Sequence, residues 1–147
     1  MKKIFNTIRK RFYSSEFQEL ETLLIEIKKM RELGFSDFQN IPELIKTWNV
    51  DQSKNIDGNA CILRSKSNEF CEIETWIPPG GGFSKHWHSN TETCEVLSGV
   101  LADKIVTPND EYKKGQILQY KPYERHMPYN PSNDHITHLL VTFYLQT

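Results

Sequence analysis

Residues 80–92 read GGGFSKHWHSNTE, with His86 and His88 one residue apart and Glu92 four residues beyond the second histidine. On a strand, alternate side chains share a face, so the two imidazoles point the same way and Trp87 points to the other side. Ser89, Asn90 and Thr91 are residues that turn the chain back, which brings Glu92 alongside the histidines at the head of the next strand. Imidazole suits Zn, Cu, Fe and Ni, and an added carboxylate gives the donor set of non-haem iron and related centres that keep coordination positions open. A single histidine on a strand is more often solvated or packed than a ligand; the case for a site rests on the set.

The wider pattern is more specific. Gly80, His86, His88, Glu92 and Gly99 stand at the spacing of the first motif of the cupin superfamily, which the stretch resembles in every fixed position. In GQILQYKPYERHMPYN, Gly115, His126 and Asn130 fall at the spacing of the family's second motif. Lys121 and Tyr123 stand where the family usually has Pro and Gly, with a proline displaced to position 122, so the turn before His126 is expected to differ in shape while the ligand position is kept. The resemblance covers residues 80–130. It implies a mainly β fold, the double-stranded β-helix or cupin jelly-roll barrel, and one divalent transition metal (Fe, Mn, Ni or Zn) held by His86, His88, Glu92 and His126. Three neutral imidazoles and one carboxylate would leave such an ion with net positive charge and open positions for water, dioxygen or a chelating substrate. An open site points to chemistry or ligand recognition more than to folding alone.

On that resemblance the expected function is a metal-dependent enzyme acting on a small molecule, a dioxygenase-like oxidoreductase or a related lyase or isomerase. The alternative is a non-catalytic sensor or binder of a metal or small ligand. Residues 99–128 also resemble the cupin domain of ChrR-type anti-sigma factors, yet the N-terminal His and Cys cluster of those proteins has no counterpart, because residues 1–60 contain neither residue type. No catalytic acid or base stands apart from the ligands, and Glu92 cannot bind an ion and act as a free base in the same state.

The elements that must position these residues follow from periodicity. Residues 15–34 carry apolar side chains at Leu20, Leu23, Leu24, Ile27, Met30 and Leu33, one helical stripe, with a capping pair Ser15 and Gln18 at its start and Gly34 at its end. A shorter helix is expected after Asn40, with Pro42 and Glu43 in its first turn and Leu44, Ile45 and Trp48 as its apolar contacts. Residues 50–59 are polar and turn-rich. After them come eight short β-type runs, ACILRS, EFCEIETWI, SKHWH, ETCEVLS, VLADKIV, QILQY, HMPY and THLLVTFYL, a texture of sandwiches and barrels. The domain reading is a helical extension over 1–50, packed on the barrel or on a partner subunit, and a barrel over 51–147.

Around the ligands, Cys94 shares the inward face of Glu92, and Trp76, Phe83, Tyr120, Tyr129, His138 and Phe143 are the further candidates for pocket walls. Glu95 should face away. His135 and His138, three apart, point to opposite faces of a strand and are not expected to share an ion. Lys85, Lys104 and Arg125 are candidates for positive charge at the mouth, which would favour a carboxylate or phosphate.

Composition narrows the partners. Eighteen basic and nineteen acidic residues leave a net charge of −1, so the broad positive footprint of nucleic-acid binders is missing. The first fifteen residues hold five Lys or Arg and no acid. No apolar run approaches the ~20 residues of a membrane span, and none resembles a secretory leader. Cys61, Cys71 and Cys94 are widely spaced and odd in number, which argues for reduced thiols. The expectation is a cytoplasmic protein with a small-molecule ligand, no nucleic-acid or membrane partner, and a homodimeric state common among proteins of this resemblance.

Overall fold

The computed structural model describes residues 37–145. The predicted helix over 15–34 and the basic first fifteen residues lie outside the described residues. Within them the chain runs β1 (Asp37–Phe38), α1 (Ile41–Lys46), β2 (Ser53–Ile56), β3 (Asn59–Lys66), β4 (Phe70–Ile77), β5 (His86–Trp87), β6 (Thr91–Ser98), β7 (Val100–Asp103), β8 (Tyr112–Lys113), β9 (Ile117–Tyr120), β10 (Pro128–Tyr129) and β11 (Thr137–Tyr144). All eight expected strands are present. Three short ones, β1, β2 and β8, were not expected.

A six-stranded sheet in the order β2-β3-β4-β11-β6-β9 faces a three-stranded sheet β10-β7-β8, and β1 joins β5 as a parallel pair. Every other pairing is antiparallel, the pattern of a jelly roll. The strands of the large sheet alternate strictly. On β11, Thr137, Leu139, Val141 and Phe143 are buried while the residues between them are not, and β4 does the same with Cys71, Ile73, Thr75 and Ile77. That period of two is why one face closes on a core. Leu63, Ile77, Val96 and Leu101 are fully buried, each contributing about 1.5–3 kcal/mol.

The helix α1 starts as its sequence predicts. The Asn40 side chain accepts a hydrogen bond from the Glu43 N–H, and a proline occupies the first turn. Ile41, Ile45 and Trp48, at positions i, i+4 and i+7, are buried against the barrel. Lys66 Nζ closes the other end by donating to the carbonyls of Ile45 and Trp48 at 3.0 and 2.8 Å.

Strand β2 falls in the polar stretch that reads as a connection. Its residues alternate between exposed and half-buried, so little hydrophobic signal marks it. The pair Asp57-Gly58, at φ 55° and 86°, makes the two-residue turn into β3, a geometry that matches strand twist and favours Asp-Gly.

Two glycines hold the strands around the site close. At Gly99, φ is 80° and a Cβ would lie 2.5 Å from the Ile136 carbonyl oxygen. At Gly82 a Cβ would lie 2.6 Å from Pro128 O and from Tyr129 Cβ, because the loop before β5 is bridged directly to Tyr129.

Candidate metal centre

Strand β5 is short, yet it is held from three directions. Asp37 and Phe38 pair with His86 and Trp87, and Gln39 N–H donates to Trp87 O at 2.8 Å. Trp87, on the face opposite the histidines, is fully buried, with its ring 4.4 Å from Phe38 and 6.0 Å from Tyr123. On the other edge His86 and His126 form an antiparallel bridge, exchanging N–H···O bonds of 3.1 and 2.9 Å. Ligand candidates forty residues apart in sequence thus sit opposite each other on one ladder.

The turn before His126 takes the altered shape. Glu124 N–H donates to Lys121 O at 3.1 Å, with Pro122 at the second position and Tyr123 at φ 66°, which is a type II turn. Tyr123 fills the left-handed position that glycine usually occupies, at a cost of about 1–3 kcal/mol. Burial of its ring against Trp87 offsets that cost, and its N–H donates to His88 O at 2.7 Å.

His86, His88, Glu92 and His126 each offer a ligand atom within 4.8 Å of the others. The orientation has a common cause. Each imidazole uses Nδ1 on a backbone carbonyl: His86 on Ser84 O at 2.6 Å, His88 on Asn90 O at 2.8 Å, His126 on Glu124 O at 2.7 Å. With Nδ1 turned outward to a carbonyl, the Nε2 of each ring is left facing the shared centre, where in the neutral ring it can ligate an ion. Glu92 enters from the start of β6, opposite Phe143 on β11 and Tyr120 on β9. Its Oε1 lies 2.9 Å from His88 Nε2 and 3.3 Å from His126 Nε2, and its Oε2 accepts from the Cys94 thiol at 3.1 Å.

Burial and charge at the centre oppose one another. Burial, with His126 beside it, pushes His86 down to about 4, and burial lowers His88 too. Burial would raise Glu92, but the imidazoles of His126 and His88 outweigh it and hold the carboxyl well below the usual carboxylate range. His126 moves the other way: burial lowers it, and the adjacent Glu92 carboxylate more than reverses this. His126 Nε2 is nevertheless a fully buried nitrogen that makes no hydrogen bond. A buried nitrogen that meets Glu92 at 3.3 Å without a formed hydrogen bond, grouped with two more imidazole nitrogens and that carboxylate within 4.8 Å, fits a divalent ion.

An acid that the sequence reading passed over supports His126. Asp103 is fully buried; it accepts from Ile105 and Val106 N–H through Oδ1, and from Tyr120 Oη (2.7 Å) and Met127 N–H (2.9 Å) through Oδ2. Tyr120, held by that bond, stacks on His126 at 4.0 Å and 15°. Its alternation in VLAD marked Asp103 as one of two faces only, which is too weak a signal to single it out. Asn130 locks the loop after the ligand by donating to Ile77 O and His135 O.

A cavity of about 260 Å³ reaches the cluster at His86 and Glu92. Of the wall candidates, Cys94, Phe83 and Phe143 line it. The others stand elsewhere. Tyr120 is buried against His126, and Tyr129 borders a separate hollow beside Lys104, whose Nζ lies 5.0 Å from its ring. Trp76 and His138 lie on the outer face of the sheet, stacked at 4.8 Å, with His138 hydrogen-bonded to Glu74. For Trp76 and His138 the cause is alternation: inward Thr75 and Ile77 turn Trp76 outward, and Thr137 and Leu139 turn His138 outward. His135 is exposed and paired with Asp134. Lys85, Lys104 and Arg125 are not among the residues that line the cavity. The wall that the sequence reading missed comes from Gln39, Ile41, Leu44 and Trp48, carried over the barrel by β1 and α1.

No protein-family model and no curated protein sequence matches the chain. Solved structures do match. An RmlC-like cupin from Shewanella frigidimarina NCIMB 400 aligns at TM-score 0.57 and 16% identity, over 67% of this chain and 90% of that one. KdgF from a Halomonas species aligns at TM-score 0.57 and 11% identity, over 76% and 96%. The complex of SigE with the anti-sigma ChrR from Rhodobacter sphaeroides aligns at TM-score 0.52 and 19% identity, over 67% of this chain and 51% of that one. These likenesses establish a cupin fold for the chain.

Proposed function

We propose that this cupin-fold chain binds one divalent transition metal through His86, His88, Glu92 and His126 and acts on a small molecule in the adjoining cavity, as a dioxygenase-like oxidoreductase or a related lyase or isomerase. The observation that carries the reading is the common Nδ1 tether: three backbone carbonyls aim three Nε2 atoms, beside one carboxylate, at the inner end of a cavity. Bound there, Fe, Mn, Ni or Zn would supply Lewis acidity and a template for a chelating substrate.

The chain's own contribution is positional. Cys94 keeps one oxygen of Glu92 occupied, which leaves the other for the ion. Tyr120, fixed by Asp103, holds the plane of the His126 ring. The mostly aliphatic and aromatic wall excludes water from the approach to His86.

Metal analysis of the purified protein tests the reading, with His88→Ala as control. We expect near-stoichiometric Fe, Mn, Ni or Zn in the parent and substantial loss in the variant. Iron or manganese together with oxygen uptake supports the oxidoreductase; tightly held zinc without turnover moves the assignment to a sensor or binder. Equal and negligible metal in both proteins overturns the metal centre itself.

A further inference from the structure

The cavity's lining restricts what it can hold, and this step rests on the metal reading above. Its wall facing the cluster is built from α1 and the inner faces of β4, β6 and β11: Ile41, Leu44, Trp48, Ile73, Leu139 and Phe143 are representative. Polar side chains are few. Thr75 donates to Cys61 within the wall, and at the mouth Ser84 donates through both N–H and Oγ to Asp57 Oδ2, at 3.0 and 2.9 Å. The acids bordering the space are Glu92 and Asp57, and among the described residues no lysine or arginine lines it.

At about 260 Å³ the space falls just below the ~300–1,000 Å³ of drug-sized ligand sites, so it suits a fragment-sized molecule. A carboxylate or phosphate carried away from the metal would be desolvated against hydrocarbon, with Asp57 on the lining and no lysine or arginine of the described residues there to pair with. Among the described residues that line the space, the positive centre a ligand would meet is an ion held at His86 and Glu92.

We propose that the substrate class is a compact molecule with an uncharged apolar body and a single oxygen-donor head that reaches the metal, and that α1 sets this preference. This replaces the expectation of a carboxylate or phosphate ligand drawn to Lys85, Lys104 and Arg125. Because Leu44 and Ile41 come from the segment ahead of the barrel, selectivity is separable from the metal ligands.

Three hydroxamates test this by calorimetry on the metal-loaded protein: acetohydroxamate, which is little more than a head; benzohydroxamate, which adds an apolar body; and 4-carboxybenzohydroxamate, which adds a charge to that body. Benzohydroxamate should bind about tenfold or more tightly than acetohydroxamate, and the carboxylate should cancel that gain. Leu44→Lys, half-buried on a surface helix, should bind the carboxylated probe several-fold better than the parent does. Ile56→Lys, on the edge hairpin, serves if the first variant does not fold. Equal affinity for all three probes, or tightest binding of the carboxylated one by the parent, overturns this inference while leaving the metal reading intact. Failure of the protein to retain metal, with no hydroxamate bound, overturns the metal reading and takes this inference with it.

Discussion

Cys94 joins the candidate metal site to the core. Its thiol donates to Glu92 Oε2 while its backbone pairs with Val141 and Leu118. Cys94→Ala should therefore weaken metal binding by ~10–100-fold, the usual effect of losing a group that orients a ligand, whereas Cys94→Ser should retain most of it; a competitive chelator titration measures both. The other two thiols are packing groups. Burial pushes Cys61 up to about 11 and Cys71 up to about 12, above the 9.0 of a free thiol. Native protein at pH 8 should accordingly react with iodoacetamide at these positions far more slowly than unfolded protein, read by peptide mass spectrometry. Below pH 9 both states keep the protons; between 9 and about 11–12 the unfolded chain releases them first, so the two thiols make the fold lose stability as pH rises through that window.

At the scale of elements, the short helix and the tight turns carry more than their length suggests. Asn40→Ala removes the cap of α1 and should cost about 1 kcal/mol in a denaturant melt; because α1 walls the cavity, it should also loosen hydroxamate binding without changing metal content. Gly99→Ala faces both a left-handed φ and a Cβ 2.5 Å from a backbone oxygen, and we expect a loss of more than 2 kcal/mol, with the β6–β7 connection displaced. Tyr123 sits in a glycine-like conformation for the sake of its ring. Tyr123→Gly relieves the turn but empties a buried site beside Trp87, so a net loss in thermal stability is expected, and a gain would show that the strain outweighs the packing.

At the scale of the whole molecule, the donors converge from β5, β6 and the segment before β10, so a bound ion cross-links both sheets of the barrel. Ligation of the native state alone stabilises it by about 2.7 kcal/mol at a free metal concentration one hundred times Kd. The melting temperature should rise by several degrees on adding the cognate ion and fall with EDTA, and His88→Ala should abolish both responses. A parent protein whose melting point ignores metal and chelator alike would contradict the cross-link.

The sequence by itself determined the β texture, the capped helix at Asn40 and the identity of the four clustered side chains, because alternation, capping and motif spacing are local and leave their mark in residue order. It also carried the altered turn at residues 121–124, where a displaced proline announced a different shape. Only the tertiary structure decided which aromatics face the cavity, since Trp76 and Phe143 look equally eligible until strand register assigns each a side. It alone brought Asp103 to Tyr120 and α1 to the cavity that reaches His86 and Glu92, because those contacts join segments far apart in the chain through packing that no short spacing encodes. It also decided that no lysine or arginine among the described residues lines the cavity: Lys104 leans on Tyr129 outside it, a choice made by the fold of the loop and not by the residue's type.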